Sequence, residues 1–225
     1  MKTKIGLLGG IGPEATGIFY LSLIEKMQKK GMIHSNADFP QIVINSIPAP
    51  ELVGETINEE DLADYIEGLK ELDIFGVDVI VMVCNTIHLY HAQLQSKIKT
   101  PIIDLRKEFA EFMKRSGEKA AVVLATPSTI ESGLFEVEGV KYAKLSEAEE
   151  REVSEAIFRF NAGADRSVQS ERVRKIAEKY SDQGRRLVVL GCTEISLMLK
   201  DSKIRNVDTM DILSDVLINK ISSSR

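Results

Sequence analysis

Short apolar runs, mostly of β-branched residues, alternate along this chain with longer stretches in which apolar positions recur every three or four residues. The runs are Lys4–Leu8, Gln41–Ile47, Val77–Val83, Pro101–Leu105, Ala120–Ala125, Val140–Leu145, Leu187–Leu190 and a weak one near Val207. They are too short for buried helices and read as strands of largely parallel sheet. Between them the spacing predicts helices over Glu14–Lys30, Glu59–Phe75, Leu89–Lys97, Arg106–Ser116, Glu147–Asn161 and Ser167–Gln183. Two more are expected at Glu194–Leu199 and Met210–Ile221. Asn58-Glu59-Glu60-Asp61 is a helix start, with a capping side chain followed by first-turn acids. Strands and helices in alternation define an α/β fold.

A weak internal repeat divides the chain. Gly76-Val-Asp-Val-Ile-Val-Met-Val-Cys84 resembles Gly184-Arg-Arg-Leu-Val-Val-Leu-Gly-Cys192, each a glycine, an apolar strand and a terminal cysteine. The openings Lys4-Ile-Gly-Leu-Leu-Gly-Gly and Lys119-Ala-Ala-Val-Val-Leu-Ala-Thr correspond more loosely. The expectation is two similar lobes, each a mostly parallel sheet flanked by helices, with the active site in the cleft between them. Residues 1–105 with 205–225 would form the first lobe, carrying Cys84, and residues 106–204 the second, carrying Cys192.

Composition narrows the function. At 225 residues the chain is long enough to bury a core without disulfide or metal staples. With 29 Lys+Arg against 34 Asp+Glu, the net charge of −5 and the lack of any basic block argue against nucleic-acid binding. No apolar run approaches the roughly 18 residues of a membrane span. The opening stretch, MKTKIGLLGGIGPEAT, is too short in its apolar part for a secretory signal. Two cysteines make no disulfide framework, and the expected compartment is the reducing cytoplasm.

Four junctions share one design of strand, small or hydroxylic residues and helix start. They are Leu8-Gly-Gly-Ile-Gly-Pro-Glu-Ala-Thr, Val83-Cys-Asn-Thr-Ile-His, Leu124-Ala-Thr-Pro-Ser-Thr and Leu190-Gly-Cys-Thr-Glu-Ile. Ligands of open α/β sheets bind beyond the carboxyl ends of the strands, and helix N-termini there attract carboxylate or phosphate. Gly10, Ile11, Asn85, Thr86, Thr126, Ser128, Thr129, Thr193 and Glu194 are therefore candidate substrate-binding residues. Any one of them alone reads more simply as a helix cap. Four junctions together, two holding the chain's only cysteines, point to a small anionic ligand.

Cys84 and Cys192 are the candidate catalytic residues. A buried cysteine is usually only a small hydrophobe. At a strand-to-helix switch, however, a helix dipole lowers the thiol pKa from about 8.5 and favours the reactive thiolate. Two opposed thiols suit a chiral carbon, one removing a proton from one face while the other delivers a proton to the opposite face. The pair lies far apart in sequence and forms no Cys-x-x-Cys redox motif. Gly10-Ile-Gly12-Pro-Glu-Ala15 matches a loose dinucleotide fingerprint, but no acid ends the second predicted strand. Cys84, His88 and His91 lack the further ligand a metal site needs, so no metal is expected and the histidines read as surface or capping residues.

The motifs GLLGGIGPEAT, CNTIH at Cys84–His88, LATPST at Leu124–Thr129 and GCTEI at Gly191–Ile195 resemble the cofactor-independent aspartate racemases of the aspartate/glutamate racemase superfamily. The resemblance spans nearly the whole chain. It implies two α/β lobes, no cofactor, a small amino-acid or dicarboxylate substrate, and a homodimer. Cys84 and Cys192 match the family's paired acid/base thiols, and Asn85, Thr86, Thr126 and Thr193 match positions holding the substrate's carboxylate and amino group. Glutamate racemases carry an aspartate and a histidine where this chain has Gly9 and Glu194, so the aspartate branch is closer. Two cations that meet a distal carboxylate in many aspartate racemases are replaced. The segment Ile47-Pro-Ala-Pro-Glu51-Leu-Val has no Arg, and Asn161 stands before Ala162-Gly163 in place of Lys. The expected function is thus amino-acid racemisation, foremost of aspartate. The alternatives are a racemase of another amino acid, a related isomerase or decarboxylase, and a non-catalytic amino-acid or carboxylate binder.

Overall fold

The computed structural model describes residues 3–49 and 60–223. Met1–Asp104 with Leu213–Arg225 makes one compact unit and Leu105–Ile212 a second. In the first unit, β1 (Lys4–Gly9), α1 (Pro13–Lys29) and β2 (Gln41–Ser46) are followed by α2 (Ala63–Phe75), β3 (Val79–Met82) and the short α3 (His91–Gln95). The second unit contains α4 (Leu105–Ser116), β4 (Ala120–Leu124), α5 (Pro127–Glu131), β5 (Lys141–Ala143), α6 (Glu147–Asn161) and α7 (Arg166–Ser181). It continues with β6 (Leu187–Leu190), α8 (Thr193–Met198) and β7 (Asn206–Asp208), and α9 (Thr209–Ser223) carries the chain back into the first unit.

Both sheets are parallel throughout and have the same core order. The first runs β2-β1-β3 and the second β5-β4-β6-β7. A parallel pair needs a crossover between its strands, and the helices supply it. Each middle strand is the first of its unit, so the loop that leaves it lies beside the end of its unit's third strand.

The helices follow from their apolar spacing. Leu62, Tyr65, Ile66, Leu69 and Leu72 form one stripe on and just before α2, buried against Leu8, Ile80 and Met82 of the first sheet. Ala15, Phe19, Leu23 and Met27 make the buried stripe of α1. In the second unit Val153, Ala156, Ile157 and Phe160 of α6 and Val173, Ile176 and Ala177 of α7 cover Val122, Leu124, Val188 and Leu190. At about 1.5–3 kcal/mol per fully buried large apolar side chain, these stripes dominate the stability of each unit.

Several expectations shift. Pro101–Leu105 is not a strand but a single bridge, Ile80 to Ile102. The N–H of Ile80 donates to Pro101 O at 2.9 Å and that of Ile103 to Ile80 O at 2.9 Å, after which Leu105 opens α4. Proline offers no N–H to extend the ladder. The expected helix over Leu89–Lys97 begins instead as a 3₁₀ turn, Thr86–Tyr90, before α3. The start of the helix expected from Glu59 lies outside the described residues, and α2 is helical from Ala63. The return to the first unit comes after 205, because β7 pairs with β6 in the second sheet. In the first unit Lys26 Nζ of α1 then donates to Ser214 Oγ at 2.7 Å and lies 3.1 Å from Asp215 Oδ1, both on α9.

One polar cluster ties α6 to α7. Ser146 caps α6 in a reciprocal capping box with Glu149. Glu149 also takes the Tyr180 hydroxyl at 2.6 Å and the Lys179 ammonium at 2.6 Å. The ammonium, then the hydroxyls of Ser146 and Tyr180, hold the Glu149 carboxyl pKa down to about 2. A depressed carboxyl stabilises the fold above its unfolded pKa, and that contribution disappears as pH falls from about 4.5 towards about 2. Glu149→Gln should lower stability at neutral pH by about 1–2 kcal/mol, the scale of a lost cap and a charged hydrogen bond. Urea unfolding at pH 7 and near pH 3 checks this, since the difference from the parent chain should narrow in acid; an unchanged gap would contradict the assignment.

Candidate active site

The two cysteines leave their sheets in the same way. In the first unit the N–H of Val83 donates to Leu8 O at 2.8 Å, and Cys84 is the next residue. In the second the N–H of Gly191 donates to Leu124 O at 2.8 Å, and Cys192 follows. These bonds extend the registers Leu8↔Met82 and Leu124↔Leu190 by one residue. Each cysteine thus stands one residue past the last cross-strand bond, beside the loop that leaves the middle strand. Gly191 is required at this approach, because a Cβ there would sit 2.9 Å from Ala125 Cβ and 3.0 Å from Leu124 O.

In the first unit, Cys84 is half-buried and packs with Ile11 against the cluster around Leu8, Ile80 and Met82. Gly10 has φ 91°. Its N–H donates to Thr16 Oγ1 at 3.0 Å, and that hydroxyl donates to Gly12 O at 3.2 Å. Thr16 therefore closes the glycine turn from within and takes up the Gly10 N–H, which the anion-binding expectation would have left for the ligand. Asn85 is 3% exposed, and its carbonyl accepts the His88 N–H at 3.0 Å. Thr86 is half-buried and opens the 3₁₀ turn.

The histidines are not surface residues. His88 is fully buried, with Nε2 3.2 Å from Met82 O, the last residue of β3. His91 Nε2 lies 3.0 Å from Ile102 O, and its Nδ1 lies 3.8 Å from Asp104 Oδ2. A carbonyl only accepts, so each Nε2 carries a proton. Together they brace the end of β3 and the bridge beside it. His88 lies within the 3₁₀ turn Thr86–Tyr90 and is buried there. Among the described residues no group of three or more His, Cys, Asp or Glu is placed to hold a metal ion.

In the second unit three hydroxyls converge. Thr126 Oγ1 donates to Thr129 Oγ1 at 3.1 Å and lies 3.3 Å from Ser128 Oγ. Across β4 and β6, Cys192, Thr193 and Glu194 are all buried. Cys192 Sγ donates to Glu194 Oε2 at 2.9 Å, and Thr193 Oγ1 donates to the same oxygen at 3.0 Å. Asn85, Thr126 and Cys192 each occupy a helix N-cap, yet none accepts a hydrogen bond there from its own helix. Helix capping therefore does not account for these side chains. The helices themselves are short, five residues in α5 and six in α8. So short a helix has little macrodipole, and any anion affinity here comes from individual N–H groups and hydroxyls. A separate cavity of about 290 Å³ in the second unit includes Thr129 but neither Thr126 nor Cys192; Glu131, Glu136, Glu150 and Tyr142 line it.

These two sheets define the class: paired parallel α/β units, each with a cysteine at the end of its third strand. The family model for Asp/Glu/Hydantoin racemase matches residues 8–216, and the chain belongs to that family. It is 32% identical over 133 residues to the broad specificity amino-acid racemase RacX of Bacillus subtilis (strain 168), covering 59% of this chain and 58% of that one. A glutamate racemase of Aquifex pyrophilus is 30% identical over 65% of this chain and 59% of its own length. The chain thus spans less than two thirds of these curated relatives. The crystal structure of PH1733, an aspartate racemase homologue from Pyrococcus horikoshii OT3, is similar at 26% identity and a TM-score of 0.76, over 99% of this chain and 100% of that one.

The glycine turn yields a test. A Cβ on Gly10 would fall 2.2 Å from Ile47 O, on a backbone at φ 91°. Gly10→Ala should cost about 2–4 kcal/mol, combining positive-φ strain with overpacking. Urea unfolding reads it directly; a cost under about 1 kcal/mol would mean that the turn yields easily.

Proposed function

We propose that this protein is a cofactor-independent amino-acid racemase that works by two-base proton transfer between Cys84 and Cys192. The observation that carries the reading is their equivalent placement. In two sheets of the same order, each thiol follows the last bond of the ladder by one residue. Neither cysteine forms a disulfide.

In the proposed reaction one thiolate breaks the substrate's Cα–H bond and becomes a thiol. The other thiol gives its proton to the opposite face and becomes a thiolate, and solvent exchange resets the pair. Asn85, Thr86, Thr126, Ser128, Thr129 and Thr193, with Ile11 of the glycine turn, would hold the α-carboxylate and amino group. The α-hydrogen is far less acidic than a thiol, so these groups must stabilise the carbanion-like transition state more strongly than the bound substrate. Aspartate is the first substrate to test. The relatives' names also include broad-specificity and glutamate racemases, so the panel should extend to acidic and uncharged amino acids. The proposal includes a homodimer acting in the cytoplasm, on the strength of the family resemblance and the two reduced thiols. No helix among the described residues is long and apolar enough to cross a membrane.

The deciding measurement is incubation in D₂O with single-enantiomer amino acids, following optical rotation and loss of the α-proton. Cys84→Ser and Cys192→Ser should each reduce racemisation by about 10²–10⁴-fold or more. Each variant should still exchange the α-hydrogen of one enantiomer. Full racemase activity in either variant would exclude the two-base account.

A further inference from the structure

Glu194 entered as a candidate substrate-binding residue, but its carboxylate is turned onto Cys192. One oxygen, Oε2, accepts from Cys192 Sγ at 2.9 Å and from Thr193 Oγ1 at 3.0 Å. Cys192, Thr193 and Glu194 are 9%, 4% and 7% exposed respectively, so little water screens them. A thiolate and a carboxylate at this separation repel each other strongly, which disfavours ionising both at once. A carboxyl is intrinsically a stronger acid than a thiol, by about four pH units. The Thr193 hydroxyl donates to the same oxygen, so Oε2 accepts both bonds and the proton shared with Cys192 sits on sulfur.

We infer that Glu194 is a positioning residue that holds Cys192 in its protonated form, making Cys192 the resting acid of the thiol pair. The catalytic meaning rests on the racemase reading, whereas the shared proton does not. When Cys192 acts as acid, its S–H bond breaks, the substrate's Cα–H bond forms, and sulfur is left as thiolate beside the carboxylate. That unfavourable pair of charges then draws a proton back from solvent and restores the acid. Charged groups on the elements packed around α8 have partners of their own. Arg172 of α7 binds Glu152 and Glu155 of α6. Glu149 binds Lys179 and Tyr180, and Asp208 accepts from Ser196 Oγ and Met210 N, each at 2.8 Å. Glu194 is the carboxylate in hydrogen-bond contact with the Cys192 sulfur.

The test uses the full chain carrying Cys84→Ser, so that a single thiol reports. Iodoacetamide alkylation of Cys192 is followed from about pH 6 to pH 10, with Glu194 intact and as Glu194→Gln and Glu194→Asp. With Glu194 intact, the midpoint should lie above the ordinary thiol value of about 8.5. Glu194→Gln, which keeps the shape and removes the charge, should lower it by at least about one unit, or about tenfold in rate on the acid side. Glu194→Asp retains the charge and should keep the midpoint raised, which a purely structural role would not predict. Should the Glu194→Gln variant fail to fold by circular dichroism, the thiolate absorbance of the intact and Glu194→Asp forms decides, and midpoints at or below the ordinary value overturn the inference. Coincident alkylation profiles with Glu194 intact and with Glu194→Gln, in folded proteins, overturn it as well. Alkylation needs no turnover, so an inactive chain with the expected shift refutes the racemase reading alone. An active racemase without the shift refutes the pairing alone.

Discussion

Two backbone hydrogen bonds govern the candidate site, Val83 N–H to Leu8 O and Gly191 N–H to Leu124 O. Each closes the ladder between the middle and third strands of a parallel sheet. The next residue is released from pairing, and in both units it is the cysteine. A shift of one residue in either register would move the cysteine to the other face of the pleat, because side chains alternate along a strand. The reactivity proposed for the thiols therefore depends first on backbone pairing and only then on local electrostatics.

The surroundings protect that geometry. Buried stripes on α2, α6 and α7 clamp the strands from one side. Thr16 closes the glycine turn, Gly191 allows the close strand approach, and His88 and His91 brace the carbonyls of Met82 and Ile102. In the second unit the hydroxyls of Thr126, Ser128 and Thr129 are grouped after β4. The two cysteines nevertheless differ in setting. Cys84 borders an apolar cluster and is half-buried, whereas Cys192 is buried and meets a carboxylate. Unequal surroundings suit the unequal roles proposed for the two thiols, since a two-base exchange needs one acid and one base at the start of each turnover.

Particular elements show how far sequence reading reaches. Seven of the apolar runs became strands because a β-branched run between turn signals has few other stable conformations. Pro101–Leu105 failed as a strand because proline removed a donor and helix α4 claimed Leu105. His88 was read as a surface or capping residue for want of further metal ligands, whereas the structure buries it in a 3₁₀ turn. The short α5 was legible as a helix start but not in length, whereas α8 was expected at six residues and has six; length decides whether a macrodipole is available.

The sequence by itself determined the α/β class, the repeated strand–cysteine unit and the family motifs, because all three are written in local periodicity and in residues adjacent along the chain. Tertiary structure alone decided that Thr16 occupies the Gly10 N–H, that β7 joins the second sheet, and that Glu194 turns onto Cys192. These outcomes depend on which rotamers and strand edges remain once the core is packed. That choice is made by contacts between distant segments, and no local pattern encodes it.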